Sequence, residues 1–199
     1  MEQIQNKWMD RISQCRYVQG IQYNTLTQRQ RNYYVAQDHY YLEIFGAAFD
    51  EVNRILDSLG LLSEVQSVDE SDAHQALKPN DGWKQEVIGD VSKAYTGYIQ
   101  EIMQTGDDLQ KVLVMLPCLE SYYLLAAGMK NDGETSDEYK GWIDYYTQSA
   151  YIGQVSRYRQ GIVELVKGSR TEARITPADL QVYEQAYQHE YDFWEQCVV

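Results

Sequence analysis

The stretch VLVMLPCLESYYLLAAGM, residues 112–129, is apolar on most faces of a helix. A helix of that kind belongs in the middle of a larger fold rather than on its surface. The reading therefore predicts a central, buried helix over 109–129, capped by Asp107 and preceded by a helix that stops at Gly106. Outward from it, residues 27–59 place Tyr34, Asp38, Tyr41, Phe45, Ala48 and Val52 at spacings of three, four and seven with no proline among them, which predicts one long helix. Residues 83–104 carry the same period. The stretch 59–83 is richer in Ser, Asp and Gly and holds Pro79, so it reads as a loop with room for a short helix. Ser136, Asp137 and Glu138 make a helix start for YKGWIDYYTQSAYIGQV (139–155), with 154–167 as a further or kinked helix. Thr176 as N-cap, Pro177 in the first turn and Asp179 behind it open a terminal helix. No segment alternates with period two. The expectation is an all-α bundle of about seven helices forming one domain over 1–199.

Composition narrows the classes. A chain of 199 residues can bury roughly 70% of its unfolded surface without a metal or disulfide staple. With 44% hydrophobic and 24% charged residues it is not a disordered polymer. Seventeen Lys+Arg against thirty Asp+Glu leave a net charge of −13. That field repels phosphate backbones and anionic membranes, so neither nucleic acid nor membrane is an expected partner. Cys15, Cys118 and Cys197 are odd in number and widely spaced, which argues against a disulfide framework or a zinc knuckle and suits a reducing cytoplasm. The start, MEQIQNKWMDRISQ, lacks the apolar core of a signal peptide. Eighteen tyrosines stand beside three phenylalanines. So many hydroxyls, each needing a partner if buried, suit either a chamber for a flat polar ligand or a tyrosine-rich interface.

Three residues draw attention, each with an ordinary reading beside the chemical one. Cys118 follows Pro117 inside the apolar helix, and a lone buried cysteine is most often an inert small hydrophobe. Proline there costs about 3 kcal/mol and predicts a kink, and Tyr122 lies one turn on, at i+4 from the thiol. Asp38 puts a carboxylate into an aromatic stripe of Tyr34, Tyr41 and Phe45, and Glu190 does the same among Tyr183, Tyr187, Phe193 and Trp194. A buried carboxylate is expensive without a partner. Each could simply tie a tyrosine hydroxyl or a backbone amide; together they suggest a pocket. His39, His74 and His189 are expected at the surface. None has an acidic residue three positions before it, so the Glu-x-x-His signature of a di-iron bundle is missing and no metal or haem is expected. The runs VDESD and NDGETSDE read as solvated loops. Glycine motifs for dinucleotides or phosphates and the GxSxG elbow are absent from the sequence.

Five blocks then resemble one family in its order: YYVAQDHYYLEIF (33–45), AYTGY (94–98), LPCLESYY (116–123), YKGWIDYY (139–146) and YQHEYDFW (187–194). They are similar to the TenA family, thiaminase II or aminopyrimidine aminohydrolase, of the haem-oxygenase-like all-α fold. The resemblance implies a cofactor-free enzyme that releases hydroxymethyl pyrimidine from 5-aminomethyl pyrimidines, and more slowly from thiamine, for thiamine salvage. It puts the nucleophile on Cys118, the neighbouring carboxylate on Glu190, the acid that binds the aminopyrimidine edge on Asp38, and the lining on Tyr41, Tyr95, Tyr122 and Tyr146. It also implies a homo-oligomer, most simply a tetramer. Two stretches depart from the family: VQGIQYNTL at 18–26, and the region between Asp38 and Tyr95, which includes 59–83, is shorter and lacks the family's His and Glu pattern. Relatives on this fold include regulators, so a non-catalytic small-molecule-binding or regulatory protein stands as the alternative.

Overall fold

The computed structural model describes residues 1–62, 69–168 and 174–199. In chain order the helices are α1 (Glu2–Ile12), α2 (Arg16–Gln22), α3 (Gln28–Ser58), α4 (Ser71–Ala76), α5 (Asp90–Thr105), α6 (Asp108–Asn131), α7 (Lys140–Tyr146), α8 (Ser149–Gly168) and α9 (Pro177–Gln196). Two 3₁₀ turns, Asp81–Gln85 and Asp137–Tyr139, precede α5 and α7. No strand occurs among the described residues.

Three of the long helices start on reciprocal caps. Thr27 with Gln30, Asp107 with Gln110 and Thr176 with Asp179 each satisfy two orphan backbone donors, a device worth about 1 kcal/mol per cap. Helix α6 is the axis of the molecule, touched by α1, α3, α5, α7, α8 and α9. That explains its composition: every residue from Val112 to Tyr122 is buried, which leaves no solvent face there to make polar. It is long and apolar enough to cross a membrane, but 78% of its most apolar window is buried inside the bundle. The expected kink does not interrupt it. The helix runs unbroken through Pro117, and what the proline removes is the N–H that would have met the Leu113 carbonyl, one turn before the thiol.

Other boundaries moved. Trp83 belongs to a 3₁₀ turn, and α5 begins at Asp90 after an extended approach anchored by Gln37 of α3. The Gln37 amide donates to the Val87 carbonyl at 3.0 Å, while its oxygen accepts from the Gly89 N–H at 2.8 Å and from Ser92 Oγ at 2.9 Å. A Cβ at Gly89 would meet Gln196 Oε1 and Tyr33 Oη at 2.7 Å, so a larger residue there would displace the ends of those two side chains. The helix expected over 139–155 divides at Thr147, whose hydroxyl bonds back to the Ile143 carbonyl at 2.9 Å, so α7 and α8 are separate. The described residues hold nine α-helices rather than about seven, the two additions being α1 and α2, while α4 falls in the stretch where a short helix had room.

The core is aromatic. Tyr17, Tyr34 and Trp194 stack in sequence, with ring centroids 5.1 Å and 5.5 Å apart, and join α2, α3 and α9. Trp142, Tyr146 and Tyr122 continue the layer from α7 to α6. All three cysteines are free and buried; Cys15 Sγ lies 3.7 Å from the Arg11 carbonyl and Cys197 Sγ 3.2 Å from that of Phe193.

Candidate active site

Asp38, Cys118 and Glu190 are all buried, on α3, α6 and α9. They face one interior region with Tyr41 of α3, Tyr95 of α5, Tyr122 of α6 and Tyr146 of α7. The Tyr95 hydroxyl donates to Glu190 Oε1 at 2.6 Å, and its ring lies 4.8 Å from that of Tyr41. His189 stacks on the outer face of Tyr95 at 5.2 Å with the rings 7° from parallel, so the ring that holds Glu190 is itself held. The thiol of Cys118 lies against both Glu190 and the Tyr41 hydroxyl. Yet Glu190 Oε2 and Tyr41 Oη make no hydrogen bond of ordinary geometry. Buried polar atoms without partners are rare in native folds, and where they converge they mark where a ligand or water would bond.

The electrostatics run one way. Burial pushes the Glu190 carboxyl up to about 8, with the charges of Asp38 and Glu70 adding to it and the Tyr95 hydrogen bond opposing. Burial also holds the Cys118 thiol well above its usual range, reinforced by Glu190 and Glu70 and opposed by Tyr41. Near neutral pH this part of the site holds a protonated carboxyl beside a protonated thiol.

Across the site, Asp38 meets a residue the sequence reading put at the surface. His74 Nε2 lies 2.6 Å from Asp38 Oδ2, and His74 is buried on α4. Burial disfavours its charged form, but the hydrogen bond to Asp38 and the charges of Asp38, Glu70 and Asp69 outweigh that and raise its pKa. Glu70, expected in a solvated acidic loop, is buried at the N-terminus of α4 and accepts from the Tyr146 hydroxyl. Burial, and then the charge of Asp38, push Glu70 up to about 7. The rest of the VDESD run before Asp69 lies outside the described residues. A signal did exist: Glu70 and His74 stand at i and i+4, on one face with Ala73 and Leu77, both buried. His189 is also partly covered rather than at the surface, and only His39 is exposed as expected.

Ligand atoms of Asp38, Glu70 and His74 all fall within 4.8 Å of one another, close enough to share an ion. The 2.6 Å separation between His74 and Asp38 is that of a shared proton. Two ligands of a tetrahedral zinc, each about 2.0 Å from the metal, stand roughly 3.3 Å apart.

The reading missed a second carboxylate altogether. Tyr183 and Tyr187 flank Glu190 in sequence, but both hydroxyls go to Glu120, two residues beyond Cys118 on α6. Glu120 is fully buried and also receives Arg159 Nη2 at 2.7 Å and Nε at 3.0 Å. Residues two apart on a helix point about 200° apart, so Glu120 faces away from the thiol.

Comparison with known proteins gives the chain its relatives. The chain is 27% identical over 193 residues to the aminopyrimidine aminohydrolase of Bacillus subtilis (strain 168), covering 89% of this chain and 79% of that protein. It is 26% identical over 166 residues to the aminopyrimidine aminohydrolase of Halalkalibacterium halodurans, with coverages of 76% and 74%. Among solved structures, a TenA family transcription regulator from Silicibacter sp. TM1040 superposes with a TM-score of 0.80 at 19% identity, over 98% of this chain and 95% of that one, which speaks for the fold. The sequence model of one family matches residues 77–198, more than half of the chain and the part that carries Tyr95, Cys118, Tyr122, Tyr146 and Glu190, and on that match the chain belongs to the TENA/THI-4/PQQC family.

Proposed function

We propose that this protein is a thiaminase II-type hydrolase that releases 4-amino-5-hydroxymethyl-2-methylpyrimidine from its 5-aminomethyl counterpart, and from thiamine, through Cys118. The observation that carries the reading is a buried thiol set against a buried carboxyl, with Glu190 Oε2 and Tyr41 Oη unpartnered around them. Amine departure from the methylene at C5 of an electron-poor ring is slow. Addition of the Cys118 sulfur to a ring carbon next to a ring nitrogen forms a C–S bond, and the nitrogen takes up a proton. The resulting enamine expels the amine from the methylene, water adds to that methylene, and loss of the sulfur restores the aromatic ring. A carboxyl that titrates near 8 can hold and return the protons these steps need: to the ring nitrogen, to the leaving amine and from water.

Because the thiol is neutral at rest, the ligand must help ionise it. A cationic aminomethyl group or thiazolium brings positive charge beside the thiol and favours the thiolate. Asp38 would accept from the 4-amino group, and Tyr41, Tyr95, Tyr122 and Tyr146 would enclose the ring. We place this activity in the cytoplasm and in a homotetramer, following the resemblance. A non-catalytic regulator is the competing reading, favoured by the description of the Silicibacter neighbour. The two part on one experiment: incubation with the aminomethyl pyrimidine and with thiamine, following pyrimidine release and the intact mass of the protein. A hydrolase releases product and shows a transient adduct on Cys118; a preparation that binds the ring but never turns it over defeats the proposal.

A further inference from the structure

Three buried carboxyls, Asp38, Glu70 and Glu190, lie near one another, and their partners differ. Glu190 is held by Tyr95 and Glu70 by Tyr146, each through a neutral hydroxyl. Among the described residues, the hydrogen-bond partner of Asp38 is the imidazole of His74, at 2.6 Å through Oδ2. A neutral hydroxyl can stay beside a carboxyl in either protonation state, since it both donates and accepts. An imidazolium can only donate. With Nε2 protonated, His74 donates to Asp38 Oδ2, and Oδ1 remains for the ligand on a carboxylate that has no proton of its own to offer.

We propose that His74 is a positioning residue that sets specificity: by donating to Oδ2 it keeps Asp38 an acceptor-only group turned toward the ligand, so the site selects rings whose edge carries an amino donor over rings that carry a carbonyl there. This rests on the function proposed above. Without the imidazole, nothing among the described residues would donate to Oδ2, and that oxygen would be free to turn or to carry a proton where His74 now donates. Once protonated it could serve a carbonyl edge as well as an amino one. Burial and the charge of Asp38 push Glu70 up to about 7 even with His74 near it, and burial with the charges of Asp38 and Glu70 pushes Glu190 up to about 8, so carboxyls in this region hold protons readily. The arrangement belongs to α4, a short helix held by α7: Tyr145 Oη donates to the Asp69 carbonyl at 2.6 Å, and Tyr146 to Glu70.

The test is calorimetric binding of 4-amino-5-hydroxymethyl-2-methylpyrimidine and of its 4-oxo counterpart. Wild-type protein is expected to prefer the amino ring by about thirtyfold or more, as a buried charge-assisted hydrogen bond allows. His74→Gln, whose amide N–H can reach the place of Nε2, should retain most of that ratio. His74→Leu should lower it below about fivefold and raise KM for the aminomethyl substrate by a larger factor than it lowers kcat. A His74→Leu ratio equal to that of wild type, with the amino ring still bound and hydrolysed by wild type, overturns this inference and leaves the function standing. A wild-type protein that binds neither ring overturns both. If His74→Leu fails to fold, the unmodified protein still decides: the His74 ring N–H proton should resonate far downfield and move on addition of the amino ring, and a signal indifferent to that ring overturns the proposal.

Discussion

Two residues apart on α6, Cys118 and Glu120 are both buried and each meets side chains of α9, but their surroundings are opposites. Glu120 has its oxygens filled by Arg159, Tyr183 and Tyr187. Around Cys118, Glu190 Oε2 and Tyr41 Oη are without hydrogen-bond partners. Each arrangement removes a carboxyl from water, and only the first returns the hydrogen bonds it costs. A satisfied buried cluster locks helices together; an unsatisfied one is stable enough to persist and is completed by something else. The distinction separates a structural carboxylate from a chemical one where burial alone cannot, since Glu120 and Glu190 are 0% and 1% exposed.

Substitutions can break that comparison. The largest effect is expected from Cys118→Ser, which should lower turnover at least about a thousandfold while pyrimidine binding by calorimetry stays within about threefold, because oxygen fills nearly the same space but is the poorer nucleophile. Equal hydrolysis by the serine variant would remove Cys118 from the chemistry. Glu190→Gln should lower kcat by roughly 10²–10⁴-fold, the range for a lost general acid–base, without loss of thermal stability. Glu120→Gln should do the reverse: about 1–3 kcal/mol of stability lost in urea, and kcat of the folded fraction within about twofold. If both variants lose activity alike, the division between the clusters is false.

Asp38→Asn sharpens the same contrast at smaller scale. It should weaken pyrimidine binding by about 10–100-fold, the worth of a hydrogen bond to a charged group, with a lesser change in kcat.

The smallest effect is on stability against pH. The raised pKa of Glu190 means that the folded state holds a proton the unfolded state has released between about 4.5 and about 8. Stability must therefore fall as pH rises through that window, and Glu70, raised to about 7, adds to the fall. Melting curves from pH 5 to 8.5 should show Tm dropping by several degrees in wild type and by less in Glu190→Gln; parallel curves would mean that Glu190 does not titrate there.

Much of the fold could be read because α6 and α9 announce themselves by cap residues and by composition. The break between α7 and α8 could not be, since it depends on Thr147 turning its hydroxyl onto its own helix, an option open to any threonine. The start of α5 was misplaced because Trp83 keeps helical spacing while sitting in a 3₁₀ turn. In the site, Asp38, Cys118 and Glu190 stood out as polar groups among aromatic ones. Glu70 and His74 hid in a polar segment whose burial depends on partners in distant elements, Asp38 and Tyr146. Tyr183 and Tyr187 were assigned to the right helix face but not to their acceptor, because sequence spacing on α9 cannot tell which side of α6 their hydroxyls meet.

The three enclosed thiols turn the native protein into its own clock. Cys15 and Cys197 are 1% and 0% exposed, so an alkylating reagent can reach them only when the bundle opens. Cys118, at 6%, needs only the chamber to open. Mass-resolved labelling of unmodified protein would then time two motions separately, breathing of the site and unfolding of the whole, and a bound pyrimidine should slow the first far more than the second.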